Sequence, residues 1–451
     1  MKYSINQETA RELDLEGLQL LGALAVEPVK AVDPPATFRP NYLTTIASLR
    51  KNETPENLVN PTIGTDGYEV ARCFPDLNPP IGLFGQSHAS FIQLCRSVFE
   101  ASDVGATISE TFIVESCFEW MRQRHLGATD LPLTEYVLSR CERNVANQEV
   151  WLPLIGVQLN LELLLANILF KPVRQADWRR WVFEWESRHP TEIPRLRRFL
   201  VDAESEGMSV AVRRLTAEPI KAVEIALKDA EAALDVLRYF SPSNRYPTMP
   251  AYCSIAGREP VNRPKHLIIQ HAALVSAGTT IANMRANHPW RIDEDLVTKM
   301  RGVGFDTLVN LLATPHEERS ELQNDFFKAL AVYSKSCIAQ SLTDKLLYAV
   351  LTLECVLLKD ESESLQKHIG ERMAFIIGKS LEHRIAIVAN YKKAYALRSG
   401  AVHHGREVTE EEILNEFMPN AWFSLNWVVG ALSQFKSKQE MIEHVDDMKF
   451  L

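Results

Sequence analysis

The sequence predicts an α+β protein, in which an N-terminal mixed α/β portion is followed by an all-α bundle of four helices. Residues 1 to about 105 are rich in Pro and Gly and have no long helical period, which favours short strands and loops. Residues 157–163 alternate apolar and polar side chains, a pattern typical of a half-buried strand. After about Phe326 the pattern is helical throughout.

A chain of 451 residues is too long for one ordinary hydrophobic core, so we expect two or three domains. We predict a mixed strand and helix region over 1–150, a mixed α/β region over 151–328 and a helical domain over 329–451. The contents of 46% hydrophobic and 24% charged residues are typical of a folded soluble protein. The net charge of -9 argues against nucleic-acid binding over the whole surface, but it allows a strand to enter a local basic cleft.

Cysteine usage and apolar runs indicate the compartment. The seven cysteines are dispersed and form no CxxC pair, which argues against a disulfide framework or a zinc site and favours a reducing cytoplasm. Residues 1–14 are polar and show no secretory signal. The most apolar run, 151–170, is interrupted by polar residues, so we interpret it as core rather than as a membrane span. We expect a cytoplasmic protein with no membrane partner, no metal and no cofactor.

The region before the bundle is expected to combine helices and loops. Residues 107–148 have a mostly helical pattern with a break over 127–132, and a helix rich in Ala, Glu and Lys is predicted over 219–237. The frequent Pro and Gly residues of 240–264 predict loops with short strands. Residues 178–198 interleave Trp and Arg with carboxylates, and we interpret the tryptophans as core rather than as a strand-binding surface.

The helical C-terminus divides into four segments with short connections, which together predict a bundle. Capping boxes at 341–344 and 409–412 open the first and the fourth segment. The segments and their expected inward-facing residues are 341–357 with Leu346, Val350 and Leu353, 364–379 with Ile369 and Phe375, 381–397 with Ile385, Val388 and Tyr391, and 409–432 with Phe417 and Leu425. Three lysines are interpreted as part of a solvated face: Lys328, Lys335 and Lys345.

The junction of the third and fourth helices combines an arginine with histidines. Arg398 and His403 are separated by four residues, and Gly400 and Gly405 are expected to loosen the backbone there. Residues 384–406 contain no Asp or Glu. They hold two histidines and five basic residues: His403, His404, Arg384, Lys392, Lys393, Arg398 and Arg406. In such a positive island, Arg can bind a phosphate and a histidine, which titrates near neutrality, can move a proton.

This segment and its surroundings resemble the Apea-like HEPN domain family of the HEPN superfamily, which is known from anti-phage defence proteins. The family motif consists of an Arg, a polar residue, a few further residues and a His, and it is matched by Arg398, Ser399 and His403. The resemblance covers about residues 330 to 435. Further resembling positions are Asp344-Lys345-Leu346, Leu353-Glu354, Glu371-Arg372, Ala374-Phe375 and Tyr395.

The resemblance implies a four-helix bundle with a metal-independent endoribonuclease site built across a homodimer interface. His403, with the same histidine of a second subunit, would take the proton of the 2′-hydroxyl and protonate the departing 5′-oxygen. Arg398 would stabilise charge on the phosphate, and Ser399 would orient the phosphate or the imidazole. Glu354 would hold Arg398 in place, and Tyr395 would support the site. We expect further RNA contacts from three basic residues: Lys392, Lys393 and Arg406.

The implied partner is RNA, because DNA has no 2′-hydroxyl that could attack the phosphorus. Transfer RNA is a frequent target of toxic ribonucleases of this superfamily. The N-terminal portion is expected to regulate the bundle, and its trigger would be a phage-derived molecule or a nucleotide.

Two alternatives stay open. His404 would satisfy a motif one residue longer, and adjacent residues on a helix point about 100° apart, so only one histidine is expected to face the site. The spacing in the family favours His403. Alternatively, the bundle is a noncatalytic RNA-binding or protein-interaction module, in which Arg398 pairs with Glu354 and both histidines are ordinary surface residues.

Overall fold

A computed structural model describes residues 3–26, 61–63, 69–74, 79–173, 209–249, 253–258, 265–270, 273–279, 289–360 and 363–450, together with the positions 77, 176, 179–180, 183–184 and 187. The described part is mixed α/β with a helical C-terminal region, as the sequence predicts. Among the described residues, none of the helices combines the length and the apolar character that crossing a membrane requires.

The described residues contain thirteen α-helices. In chain order they are α1 (Gln7–Leu21), α2 (Gly85–Ala101), α3 (Glu110–His125), α4 (Leu133–Asn144), α5 (Pro219–Tyr239), α6 (Glu294–Arg301), α7 (Phe305–Ala313), α8 (Glu321–Ile338), α9 (Leu342–Leu357), α10 (Leu365–Ile377), α11 (Leu381–His404), α12 (Glu411–Ala431) and α13 (Lys438–Asp447). Short 3-10 helices lie at Pro242–Asn244, His316–Glu318 and Met448–Phe450.

The strands of the described residues are short. They are β1 (Ala25–Val26), β2 (Pro61–Ile63), β3 (Glu69–Phe74), β4 (Ile81–Phe84), β5 (Ala146–Ile155), β6 (Val157–Leu159), β7 (Leu163–Leu165), β8 (Ile168–Pro172), β9 (Ser209–Ala217), β10 (Ser254–Ile255), β11 (Lys265–Gln270), β12 (Ala273–Thr279) and β13 (Trp290–Ile292).

The chain forms two compact units, one made of Met1–Val150 with Arg214–Ala226 and the other of Trp151–Arg213 with Leu227–Leu451. The first unit contains an antiparallel sheet in the order β1-β4-β3-β2 and the helices α1 to α4, which pack against one another. Aromatic side chains fill its core: Phe74, Phe91, Phe112, Phe118 and Trp120. The predicted division of the chain into three regions stays a prediction.

Two helices of the first unit contradict the expectation of strands and loops over residues 1–105. α1 and α2 both lie in that stretch, and the buried residues of α2 recur at helical spacing: Phe91, Leu94, Cys95 and Val98. The helical pattern of 107–148 is confirmed over α3 and α4, with the break between them, whereas residues 146–148 belong to β5. Residues 27–60 lie outside the described residues, as do most of 178–198, so the interpretation of those tryptophans stays a prediction.

The pairing of β3 with β4 leaves no room for a side chain at Gly82. Gly82 lies opposite Cys73, and a Cβ atom on Gly82 would overlap the carbonyl oxygen of Arg72 and lie 2.7 Å from the Cα of Cys73. Because both neighbours are backbone atoms, Gly82→Ala is expected to destabilise the protein by about 1–3 kcal/mol, measured by urea unfolding. Gly105→Ala is the control, because its Cβ would meet only Phe99 Cζ at 3.5 Å. Equal losses in the two variants would contradict the prediction.

The second unit contains strands from the middle of the chain. β10 pairs with β5, β9 with β8 and β8 with β7, all antiparallel, while β6 pairs in parallel with β13 and β11 with β12 forms an antiparallel hairpin. Residues 157–163 form two strands, β6 and β7, rather than the single predicted strand. The expected alternation of burial is present, because Val157, Leu159 and Leu163 are buried. The predicted helix over 219–237 is confirmed as α5, which spans both units.

Helices α8 to α13 form the C-terminal part of the second unit. Each of α9, α10, α11 and α12 contacts the other three, so these four helices pack together. Most of the expected inward-facing residues are buried: Leu346, Val350, Leu353, Ile369, Tyr391, Phe417 and Leu425. The expectation for Ile385 is wrong, because 60% of this residue is exposed. The assignment of these helices to the HEPN superfamily stays a prediction.

The two predicted capping boxes have different outcomes. The Ser341 hydroxyl accepts a hydrogen bond of 3.0 Å from the backbone N–H of Asp344, so it caps α9 as expected. At the start of α12 the N-cap is Glu410, which makes no side-chain capping bond. Thr409 lies one residue too early to serve as the cap. Its N–H donates a hydrogen bond of 2.9 Å to Glu410 Oε2.

Arg372 connects α10 to α13 through buried hydrogen bonds. Its side chain is 1% exposed, and it donates to both carboxylate oxygens of Glu363 at 2.6 and 2.7 Å. It also donates to both carboxylate oxygens of Asp446 at 2.8 and 3.1 Å and to the carbonyl oxygen of Leu357 at 2.7 Å. Although burial raises the pKa of Asp446, hydrogen bonds from Arg372 and Lys449 lower it to about 2. Arg372 therefore belongs to the structural framework of this helical part.

Candidate functional site

Helix α11 positions the arginine and histidine motif. It begins after Ser380, whose hydroxyl accepts a hydrogen bond from the N–H of His383, and it continues to His404. Gly405 ends it with a positive φ of 62°, and the N–H of Gly405 donates to the carbonyl oxygen of Ala401 at 3.0 Å. The prediction that this helix ends at Leu397 is therefore wrong. The motif lies in the last two turns of α11, and Gly400 is helical there.

The helical geometry separates the motif residues into two faces. With about 100° per residue, Ser399 and His403 lie within about 20° of a line along the helix that also passes through Lys392. Arg398 lies about 120° away from that line, on the same side as Tyr395. His404 lies about 120° away on the opposite side. We call the line of Lys392, Ser399 and His403 the outer stripe.

Arg398 turns toward the neighbouring helix α9. Its Nη2 lies 3.6 Å from Glu354 Oε1, and its guanidinium lies 5.8 Å from the centre of the Tyr395 ring. Burial raises the pKa of Glu354, and the charge of Arg398 acts in the opposite direction. The expected pairing of Arg398 with Glu354 is thus present, at a distance too long for a hydrogen bond.

Tyr391, which the sequence predicts only as an inward-facing residue, is a neighbour of this pair. Its hydroxyl is buried and has no hydrogen-bond partner among the described residues, and burial raises its pKa, with the Glu354 carboxylate adding to the effect. The rings of Tyr391 and Tyr395 lie 6.2 Å apart. The sequence does contain a signal for this contact. Tyr391, Tyr395 and Arg398 are spaced by four and three residues, and residues at that spacing share one helix face.

The other candidate residues face solvent. His403, His404, Lys392, Lys393 and Arg406 are exposed, and Ser399 is half-buried. Within the part of the chain that the structure describes, none of the lysines and arginines in this set forms an ion pair. The exposed cations near the end of α11 therefore have no direct carboxylate partner among the described residues, while four exposed glutamates follow in the chain: Glu407, Glu410, Glu411 and Glu412.

The first half of the same face is apolar. Leu381 is 69% exposed and Ile385 is 60% exposed, and both lie within about 20° of the outer stripe. Val402, also exposed, lies near its other end. Water thus contacts a continuous face of α11 that changes from apolar near Leu381 to polar and basic near His403.

A single chain brings Arg398 to Glu354 but does not bring it to His403. The two residues lie about 140° apart around the helix axis, with about 7.5 Å between them along it. The pairing of Arg398 with Glu354 and the exposure of both histidines are what a noncatalytic module would show. The exposure of His403 also makes it accessible to a second chain.

Lys345 is buried, so its assignment to a solvated face is wrong, whereas Lys328 and Lys335 are exposed as expected. Lys345 is 1% exposed, and its Nζ has no hydrogen-bond partner among the described residues. Burial disfavours the charged ammonium and lowers the pKa of Lys345 to about 8. Lys345 is one of the positions in the family resemblance, and its burial assigns it to the interior of the helical part.

The lowered pKa of Lys345 predicts a pH dependence of stability. Between the folded value of about 8 and the ordinary value of 10.5, the unfolded chain binds more protons than the folded chain. The contribution of this lysine to the free energy of unfolding is therefore expected to rise with pH across that window. Urea unfolding of wild type and Lys345→Met at pH about 7.5 and about 9.5 tests this, with Lys335→Met as the exposed control. A difference between wild type and Lys345→Met that does not change with pH would contradict it.

Comparisons of the chain with protein-family models, with curated proteins and with solved structures gave no match. In the described part of the chain, no group of three or more His, Cys, Asp or Glu residues is placed to hold a metal ion.

Proposed function

We propose that this protein is a metal-independent endoribonuclease of HEPN type that acts in anti-phage or toxin-like defence. The main support is α11, whose outer stripe exposes Lys392 and His403 and half-buries Ser399, while Arg398 lies on another face of the same helix against Glu354. A polyanion can approach this face without meeting a carboxylate from residues 384–406.

The proposed chemistry needs one base, one acid and one cation. A neutral His403 takes the proton of a ribose 2′-hydroxyl, and the 2′-oxygen then attacks the adjacent phosphorus. The bond from phosphorus to the 5′-oxygen breaks, and a protonated histidine of the second subunit gives that oxygen its proton. The guanidinium of Arg398 stabilises the charge on the non-bridging oxygens, and Ser399 orients the phosphate or the imidazole. The products are a 2′,3′-cyclic phosphate and a 5′-hydroxyl.

A homodimer would complete this site. Pairing of two α11 helices through the apolar face of their first halves would remove Leu381 and Ile385 of both copies from water, which stabilises association. If the two helices run parallel, each His403 lies opposite its counterpart, so that one histidine is available as base and the other as acid. The apolar first half of α11 thus supports the dimer, and the outer stripe supports the chemistry.

Incubation of the full-length protein with tRNA in EDTA tests the proposal. We expect cleavage that leaves 2′,3′-cyclic phosphate and 5′-hydroxyl ends, because the attacking group is the 2′-hydroxyl. DNA of the same sequence should stay intact. Loss of cleavage in EDTA, or products with 5′-phosphate ends, would contradict the proposal.

A second candidate function is a noncatalytic RNA-binding or protein-interaction module. It is favoured by the ion pair of Arg398 with Glu354 within one chain, which compensates the arginine without any substrate. This function predicts that RNA is retained without product and that His403→Ala keeps a near-normal effect in cells.

A further inference from the structure

A cavity in the second unit lies apart from the outer stripe. It has a volume of about 550 Å³, which falls within the range of roughly 300–1,000 Å³ found for small-molecule sites. Three segments line it: residues 240–246 after α5, residues 290–303 from β13 through α6, and residues 419–423 of α12. Five of the lining side chains are aromatic: Phe240, Tyr246, Trp290, Trp422 and Phe423.

The two tryptophans are held by backbone contacts. Trp290 lies in β13, and its N–H donates to the carbonyl oxygen of Gly156 at 2.9 Å. The indole Nε1–H of Trp422 donates to the carbonyl oxygen of Tyr239 at 2.9 Å. Both side chains are half-buried. The fold therefore fixes the Trp422 ring by a side-chain hydrogen bond and fixes the backbone from which the Trp290 ring projects.

Two further rings are exposed to an unusual degree. Tyr246 is 57% exposed and Phe423 is 50% exposed, and both line the same cavity. Leaving such rings in water is unfavourable, and clustered exposed apolar side chains commonly mark a binding site. A planar ring that stacks on them would gain both contact area and the preferred geometry of aromatic pairs.

The charges at the cavity are positive. Arg245 and Lys299 line it, and none of the described residues that line it is Asp or Glu. Arg245 is exposed and has no ion-pair partner in the described part of the chain. Lys299 contacts Asp295 at 2.6 Å, but both side chains are at least 70% exposed, so this pair is screened and weak. An anionic group at this edge would meet two available cations.

We propose that this cavity binds a nucleotide, with the base stacked among the aromatic rings and the phosphate at Arg245 and Lys299. Aromatic rings accept any base because every base has a π-face, and Arg and Lys supply the charge for the phosphate. A cationic ligand is disfavoured, because the two charged residues among the described lining, Arg245 and Lys299, are both positive and only Lys299 has a carboxylate, Asp295, beside it. The site is independent of the proposed ribonuclease chemistry, because it uses none of the residues of α11.

Binding of AMP to the full-length protein, measured by isothermal titration calorimetry, tests the proposal. AMP is expected to bind, and Phe423→Ala, Tyr246→Ala and Arg245→Glu are each expected to weaken its affinity about tenfold or more. The matched controls are Phe183→Ala and Arg179→Glu, which alter an exposed phenylalanine and an exposed arginine outside the cavity lining. These two variants should bind AMP as the wild type does.

Partial ligands show which contacts matter. Ribose 5-phosphate lacks the base, adenosine lacks the phosphate, and octyl phosphate replaces the base by an aliphatic chain. The proposal is overturned if AMP does not bind, if any of these three binds as tightly as AMP, or if the control variants lose as much affinity as the cavity variants.

One more ligand distinguishes the two sources of a nucleotide. A tetramer of deoxyadenylate cannot be cleaved through a 2′-hydroxyl, so it reports binding alone. If the tetramer binds more tightly than AMP and Phe423→Ala weakens binding of the tetramer, the cavity takes a nucleotide within a strand. If AMP binds and the tetramer does not, the ligand is a free nucleotide. Because the cavity uses none of the residues of α11, His403→Ala should bind AMP like wild type. A failed ribonuclease assay would therefore not count against the nucleotide site.

Discussion

Replacing His403 with alanine is expected to lower the rate of RNA cleavage by the proposed ribonuclease about 10²- to 10⁴-fold, the usual loss when a general acid or base is removed. The same substitution removes both roles in a homodimer, because each subunit contributes the same residue. Binding of RNA should change little, because Lys392, Lys393 and Arg406 stay in place on the exposed surface. Cleavage rates at saturating RNA, together with RNA affinity, separate the two effects.

Two matched histidines control for this prediction. His404→Ala is expected to have the smaller effect, because His403 shares the outer stripe with Ser399 whereas His404 points about 100° away from His403. His383→Ala alters an exposed histidine at the other end of α11 and should leave cleavage unchanged. A larger loss for His404→Ala than for His403→Ala would transfer the proton-transfer role to His404. Unchanged cleavage in all three variants would contradict the proposed chemistry.

Replacing Arg372 with alanine is expected to destabilise the protein by about 3–5 kcal/mol. The guanidinium occupies five hydrogen bonds to Glu363, Asp446 and the carbonyl oxygen of Leu357, and its side chain is only 1% exposed. Removing it leaves Glu363 without its cation and leaves Asp446 paired with Lys449 alone, at the place where α10 meets α13. The midpoint of urea unfolding, followed by far-ultraviolet circular dichroism, measures the loss.

Lys367→Ala provides the comparison for Arg372→Ala, because Lys367 is an exposed cation on the same helix and its loss should change stability by less than about 0.5 kcal/mol. The stabilising effect of Arg372 should also shrink in acid. The pKa of Asp446 is lowered from 3.8 to about 2. The contribution of Asp446 to the free energy of unfolding is therefore fully present above pH 3.8 and is lost as the pH falls through about 2. Equal unfolding midpoints for Arg372→Ala and wild type would contradict the structural role.

Local sequence patterns predicted several helices with close bounds. The helix expected over 219–237 is α5, and the segment 364–379 contains α10, because strong helix formers and apolar residues at helical spacing act within a few turns of chain. The same reasoning missed α2, whose buried residues have helical spacing but whose surroundings are rich in Pro and Gly. It also ended α11 too early, since Gly400 weakens a helix without stopping one, and the stop comes from the positive φ of Gly405.

The candidate site was only partly accessible from sequence. Lys392, Ser399 and His403 share a face as soon as α11 is continued to His404, so their alignment follows from helix geometry. The direction of Arg398 depends on a residue 44 positions earlier in the chain, Glu354, which only packing of α11 on α9 brings within 3.6 Å. The cavity gives no local sequence signal, because the five aromatic residues among its described lining come from three distant segments.

The sequence by itself determined the mixed α/β character, the helical C-terminus and the acid-free basic segment, since each depends on residue types close together in the chain. Only the tertiary structure decided which side chains meet. It buried Lys345, which the local pattern assigns to solvent, it placed Arg372 between two carboxylates, and it left Ile385 exposed on the outer face of α11. The physical reason is that burial and pairing depend on which distant surfaces pack together, and one helical period cannot show which face another helix will cover.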